Sequence, residues 1–307
     1  MAAEVELGRK MDALGLWKEL SAGNFAIRPR GTVYPYFCTV YDLNENGAGP
    51  LKLRFMMLEG WQTLHDFLRT RVDSSFGFYS SPMEMPHFEM LVLKNGACKV
   101  FRHDIGLVPR EIDDKERALV VKLLWESYGI MMRLESDAHL MMKYADLKSV
   151  FSRVEGVDGK WIDAPLEVIQ PRPHVESVSF PAAELKKAAD LPFDKDFAIS
   201  VDFRLNPGVV TSDNPPKCVY ELVGVSPSAA EKPLFRSVTS VVREAGLKGM
   251  WEAMPIVLLK HIIGLGKVPG SIRTRSQRVF RLIRPLAVEL PFRLSFHDRL
   301  PELENVR

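Results

Sequence analysis

Cysteine is scarce in this chain. Cys38, Cys98 and Cys218 are the only three in 307 residues, far apart, with no C-x-x-C pair and no histidine at metal-ligand spacing beside them. That excludes a disulfide framework and a thiolate zinc cluster, and it reads as buried thiols in a reducing compartment. Long apolar runs are also missing. The most apolar window, Met254-Pro255-Ile256-Val257-Leu258-Leu259, stops at Lys260 and His261, far short of the ~20 residues that span a bilayer. The start, Met1-Ala2-Ala3-Glu4-Val5-Glu6, is acidic and has neither the basic region nor the apolar core of a signal peptide. A cytoplasmic protein with no membrane partner is expected. Net charge is small as well, 41 Lys plus Arg against 39 Asp plus Glu, so no whole-molecule field exists to hold a polyanion. No G-x-S-x-G, H-E-x-x-H, Walker or G-x-G-x-x-G motif occurs, which removes the readily recognised hydrolase, zincin and nucleotide-binding classes. No internal repeat is visible.

What is present is the composition of a globular protein, 46% apolar and 26% charged, at a length that suggests two domains. Ile169-Gln170-Pro171-Arg172-Pro173-His174 marks the boundary, because two prolines with one residue between them favour extended chain and deny donors to a sheet. The expected division is an α+β domain over 1–170, a proline-rich linker over 171–175, and an α/β domain over 176–307.

In the first half, helices are expected over Asp12 to Leu20, over Gly60 to Arg71 with Trp61, Leu64, Phe67 and Leu68 on one face, and over Asp113 to Leu134. The last begins at a capping box, Asp113 with Glu116 three residues on. Its expected core face is Val121, Leu124, Trp125, Tyr128, Met131 and Met132. Strands are expected at Asn24 to Arg28, Tyr36 to Leu43, Leu51 to Leu58, Phe88 to Leu93, Cys98 to His103, Val150 to Val154 and Trp161 to Ile162, in antiparallel hairpins. One of these turns through Asn95-Gly96, a dipeptide that accepts positive φ.

In the second half, Phe197 to Leu205 alternates with period 2. Strands follow at Cys218 to Val225 and Phe235 to Val242, then a mostly apolar helix over Lys248 to Ile263, a strand at Ser271 to Thr274, a basic helix from about Ser276, and a strand at Phe292 to Phe296. A last helical turn is expected over Leu300 to Val306. The fold class is therefore α+β with α/β, the second half running βββαβαβ in a mixed sheet.

Two short stretches carry a resemblance. Leu124-Trp125-Glu126-Ser127-Tyr128-Gly129-Ile130 with Arg133-Leu134-Glu135, and Val268-Pro269-Gly270-Ser271-Ile272-Arg273 with Ile283-Arg284-Pro285-Leu286 and Leu300-Pro301-Glu302-Leu303-Glu304, resemble an uncharacterised bacterial family carrying domains of unknown function. That resemblance implies a shared fold and no known activity. The element order of the second half is similar to that of ribonuclease H-like domains, by topology alone. Such a fold implies a carboxylate on the first strand holding two divalent metals for in-line phosphoryl displacement. Asp202 is in that place, with Glu221 on the next strand beside it, and Mg or Mn would be the cofactor. The expected ligand set then runs out. Ile272-Arg273-Thr274-Arg275 ends in cations, Asp298 follows the last strand, and Glu302 and Glu304 come late.

The favoured expectation is thus a binding or scaffolding protein with no cofactor, and the alternative a metal-dependent nuclease or phosphodiesterase using Asp202. Between Lys267 and Arg293, seven cations stand against Glu289 alone, a local +6 hidden in a chain total of +2. Arg273, Arg275, Arg278, Arg281 and Arg284 are the anion-binding candidates, for nucleic acid or an acidic protein. On the expected helix, Val279, Ile283, Leu286 and Leu290 share one face, Gln277, Arg281 and Arg284 lie opposite, and Pro285 forces a kink or a late start. Three His-Asp dipeptides, His65-Asp66, His103-Asp104 and His297-Asp298, read as incidental, since adjacent side chains face different ways. Ser74-Ser75, Ser80-Ser81, Met83, Met85 and Met90 form an adaptable stretch that reads as core or loop packing.

Overall fold

The structure is a computed structural model, and it describes residues 3–14, 25–42, 51–70, 84–137, 139–140, 142, 148–170, 178–212, 214–228, 232–241 and 246–304. The chain forms two compact units. Met1–Thr70, Ser81–Asp104 and Pro109–Arg172 make the first; Ile105–Val108 and Pro173–Arg307 make the bulk of the second. Both are mixtures of helix and sheet.

The first unit is an eight-stranded sheet in the order β6-β5-β4-β3-β2-β1-β7-β8. Its strands are β1 (Phe25–Arg28), β2 (Tyr36–Asp42), β3 (Leu51–Glu59), β4 (His87–Leu93), β5 (Cys98–His103), β6 (Arg110–Glu111), β7 (Ser149–Glu155) and β8 (Trp161–Glu167); its helices are α1 (Ala3–Leu14), α2 (Gly60–Thr70) and α3 (Asp114–Ser136). The β4–β5 turn is made by its sequence. Gly96 takes φ +77°, Leu93 N donates to Ala97 O at 2.8 Å, and Ala97 N donates to Asn95 Oδ1 at 3.0 Å. α3 starts as expected, with Asp113 accepting from Glu116 N and the Glu116 side chain accepting from Asp113 N. Alternate residues of the strands, among them Phe25, Cys38, Phe55, Met57, Phe88 and Met90, bury with Leu7 and Met11 of α1 and Leu123, Leu124 and Met131 of α3 in one core.

Four expectations change in this unit. The first helix is Ala3–Leu14, ahead of the expected span, whose residues 15–20 lie outside the described ones. Leu68 is exposed while Trp61, Leu64 and Phe67 are buried. The buried face of α3 is Val120, Leu123, Leu124, Ser127, Ile130 and Met131, leaving Trp125 and Met132 exposed. Ser127 is tolerated inside because its hydroxyl donates to Leu123 O at 2.8 Å. Finally, the strands are not all antiparallel, since β1 and β7 pair in parallel; α3 lies between them in sequence and supplies the crossover such a pair needs.

The second unit holds α4 (Ala182–Ala189), β9 (Phe193–Val210), β10 (Lys217–Val225), β11 (Phe235–Ser240), α5 (Gly246–Leu265), β12 (Val268–Thr274), α6 (Gln277–Ile283), α7 (Leu286–Glu289), β13 (Arg293–Phe296) and α8 (Pro301–Glu304). The sheet order is β11-β10-β9-β12-β13. β9, β10 and β11 are antiparallel neighbours, while β12 is parallel to both β9 and β13. Only α4 was not expected, an eight-residue helix after Pro181. The period-2 pattern of β9 sorts the faces. Ile199, Val201 and Phe203 are buried with Leu222 and Ile272 on the side of α5, where Trp251 meets the Phe203 ring edge-on at 4.9 Å. Ser200, Asp202 and Arg204 face the other way. Gly270 lets β12 approach β9: a Cβ there would stand 2.2 Å from Lys195 O. Pro285 breaks the basic helix, which ends as α6 at Ile283 and resumes as α7 at Leu286.

Candidate functional site

The polar face of the second sheet collects the carboxylates singled out from the sequence. Register sets Asp202 opposite Val223 and Arg204 opposite Glu221, so Asp202 and Glu221 are diagonal neighbours on one face. Neither faces open solvent. Asp202 is 4% exposed, and its Oδ2 accepts from Arg275 Nε at 3.1 Å and Nη2 at 2.9 Å. Glu221 is 1% exposed, accepts from Asn206 Nδ2 at 2.6 Å, and pairs with Arg204 and Arg236, each at 3.4 Å. α8 covers this face. Leu300 and Leu303 pack on Val223 and Val225, Glu302 accepts from the Ser200 hydroxyl, Arg204 Nη1 donates to Leu303 O at 3.2 Å, and Glu304 stands 3.8 Å from Arg275. Where a two-metal centre needs cations of +2 between carboxylates, this face holds guanidinium groups and a helix.

The arginine candidates separate. Arg275 is committed to Asp202. Arg278 is 1% exposed with its guanidinium 4.6 Å over the Trp251 ring, on the buried side of α6 rather than its polar border. Arg273 and Arg281 are half-buried, and Arg284 is exposed. Val279, Ile283, Leu286 and Leu290 are all buried, as the helical period predicts.

A third cluster lies in the first unit. His87 and Glu89 are two apart on β4 and share a face, and His103 on β5 is the register partner of His87. All three are at most 5% exposed, and the two imidazoles stack with centroids 4.1 Å apart and planes 15° from parallel. His87 Nδ1 contacts Met85 O at 2.7 Å and His103 Nε2 contacts Glu89 Oε2 at 3.0 Å. A carbonyl and a carboxylate only accept, so both nitrogens carry the proton. The other nitrogens, His87 Nε2 and His103 Nδ1, are buried and have no hydrogen-bond partner among the described residues. Burial and the neighbouring His103, Arg102 and Arg54 push the His87 pKa down to about 3, which keeps it neutral near pH 7. Glu89 Oε1 lies 2.7 Å from Arg54 Nε, an ion pair without an aligned N–H. Among the described residues, this is the one group of three or more His, Cys, Asp or Glu whose ligand atoms, one from each, all lie within 4.8 Å of one another.

His103-Asp104 was therefore half of a site, though not as a dyad: His103 turns to Glu89 and Asp104 to Arg102 at 2.8 Å. His65 contacts Ile169 O and Asp66 accepts from Gln62, while His297 contacts the Ser295 hydroxyl. The nearest signal is the Asn95-Gly96 hairpin, but a two-residue turn there would set His87 opposite Asp104; only the three-residue loop 94–96, closed by Leu93 opposite Ala97, sets His87 opposite His103. Of the serine and methionine stretch, Met85 and Met90 are core, and 74–75, 80–81 and 83 lie outside the described residues.

Cys38 is fully buried, and burial pushes its thiol up to about 12. Cys98 and Cys218 are partly buried. On the α5 side of the second unit a cavity of about 390 Å³ is lined by Phe203, Leu222, Val238, Met250, Met254 and Val257, with Ser237 at its edge held to His261 at 2.6 Å. Among the described residues, no helix is long and apolar enough to cross a membrane. In comparisons with known proteins, no family profile, no curated protein and no solved structure matches this chain.

Proposed function

We propose that this is a cytoplasmic two-domain binding protein whose second unit is a ribonuclease H-like scaffold without nuclease activity, presenting a basic C-terminal surface to an acidic partner. The observation that carries the reading is the pair of hydrogen bonds from Arg275 to Asp202. A carboxylate already satisfied by a guanidinium is a poor metal ligand, because a metal ion must displace that cation and then sit beside it. The strand order β11-β10-β9-β12-β13 supports the ribonuclease H-like part. The exposed Arg284, Arg293 and Arg299 supply the surface. An acidic polypeptide suits it better than a nucleic acid, since a phosphate backbone needs a longer run of accessible cations to be held.

The test compares wild type with Asp202→Ala on bis(p-nitrophenyl) phosphate and single-stranded DNA in Mg²⁺ or Mn²⁺. Background hydrolysis by both proteins is expected. Turnover by the wild type that Asp202→Ala abolishes would establish the metal-dependent nuclease instead. In a second arm, a fluorescent polyglutamate peptide should bind more weakly to Arg284→Ala/Arg293→Ala than to wild type.

A further inference from the structure

We propose that His87, Glu89 and His103 of the first unit form a binding site for a divalent first-row transition ion, of which zinc is the probe. Three observations converge on it. First, the cluster is poor in donors: with one nitrogen of each ring committed to Met85 O and to Glu89, the remaining nitrogens are buried and meet no hydrogen-bond partner among the described residues. Two unsatisfied acceptors behind a sheet face are costly unless an electrophile takes both. Second, the tautomers are set as metal-binding histidines are set. His87 gives its Nδ1 proton to a backbone carbonyl, which fixes the ring and leaves Nε2 as the ligand. Third, the donor set is specific. Two imidazoles and one carboxylate suit zinc, iron, cobalt or nickel; hard calcium and magnesium prefer all-oxygen shells, and copper(I) prefers sulfur.

Register produces this set. The cross-strand pair His87↔His103 and the i, i+2 pair His87/Glu89 bring three side chains from two adjacent strands to one face. Rings stacked 15° from parallel share no plane in which one ion can lie. Binding therefore turns one imidazole about its Cβ–Cγ bond and draws the ligand atoms from within 4.8 Å of each other to the roughly 3.3–3.5 Å that bonds of ~2.0–2.1 Å require. Arg54 opposes a cation by its charge and contacts the Oε1 oxygen, while Oε2 accepts from His103 Nε2; the imidazole that turns is therefore that of His103, which gives up this hydrogen bond and frees Oε2 for the ion. Three protein ligands leave at least one coordination position for water or an anion.

The experiment is isothermal titration of the full-length, chelator-treated protein with Zn²⁺, and separately with Co²⁺ followed by its visible absorption. Wild type should take one equivalent that His87→Gln and His103→Gln each weaken at least tenfold, while Asp202→Asn retains it. Far-UV circular dichroism checks that each variant is folded. If His87→Gln fails to fold, Glu89→Gln replaces it, since it keeps the shape and removes the ligand charge. Failure of wild type to bind, or binding unchanged in the folded variants, overturns the site. Loss in Asp202→Asn with retention in His87→Gln would instead move the metal to the second unit, and so contradict the binding-protein reading separately.

Discussion

The two units each bury a polar cluster on a sheet face, and they satisfy it in opposite ways. In the second unit the carboxylates meet guanidinium groups, Arg275 just after β12 on Asp202, and Arg204 with Arg236 from neighbouring strands on Glu221. Nothing further is required there. In the first unit, His87 Nε2 and His103 Nδ1 are ring nitrogens that no donor meets among the described residues. Charge type decides the difference. A carboxylate on a sheet face is answered by an arginine one or two strands away, whereas a neutral imidazole beside another imidazole has only an acceptor left to offer. The first arrangement is complete as folded; the second is completed by a cation.

Breaking the complete cluster should have the largest effect. Arg275→Ala leaves Asp202 buried and unpaired, and should cost about 3 kcal/mol, read as a lower denaturation midpoint of the Trp251-bearing unit. A change under about 1 kcal/mol would mean that the pair behaves as a surface ion pair. Arg275→Met with Asp202→Leu should recover most of the loss, because an apolar pair of similar size leaves no buried charge.

Filling the incomplete cluster comes next. Zinc at one hundred times its dissociation constant should stabilise the first unit by about 2.7 kcal/mol, seen as a higher thermal midpoint in wild type and no shift in His103→Gln. A shift of equal size in both proteins would place the zinc elsewhere.

The first unit also has a conventionally paired carboxylate, and acid should expose it. Asp163 is held below its ordinary pKa first by the hydrogen bond from Arg133, against burial, with Arg153 assisting. Its stabilisation is therefore present above the unfolded value of about 3.9 and is lost as pH falls through the lower folded value. The thermal midpoint of wild type should fall more steeply below pH 4 than that of Asp163→Asn, and parallel curves would remove Asp163 from the account. Smallest of all, Trp125→Ala should change stability by no more than about 0.5 kcal/mol, because this large residue is 47% exposed on α3. A larger loss would show that the helix face is buried as its sequence had suggested.

How far the sequence disclosed all this depended on the range of the signal. Capping at Asp113, the turn at Asn95-Gly96 and the alternation of β9 are local, and they were legible. The face of α3 was not, because apolar residues surround a helix of 23 residues and only the sheet beneath it chooses among them. The parallel pairing of β1 with β7 joins Phe25 to Phe151, a distance no window spans. The same holds at the sites. Asp202 could be placed on the polar face from periodicity, but its partner lies 73 residues away. His103 was visible only beside Asp104, its neighbour in sequence, because its pairing with His87 depends on a three-residue loop where Asn95-Gly96 suggests a two-residue turn and a register one residue off.

One measurement addresses both clusters together: the Co²⁺ absorption titration of wild type, His87→Gln and Asp202→Asn side by side. One equivalent of coordinated cobalt is expected in wild type and in Asp202→Asn, and none at the same concentrations in folded His87→Gln. Cobalt retained by His87→Gln and lost from Asp202→Asn would contradict that expectation.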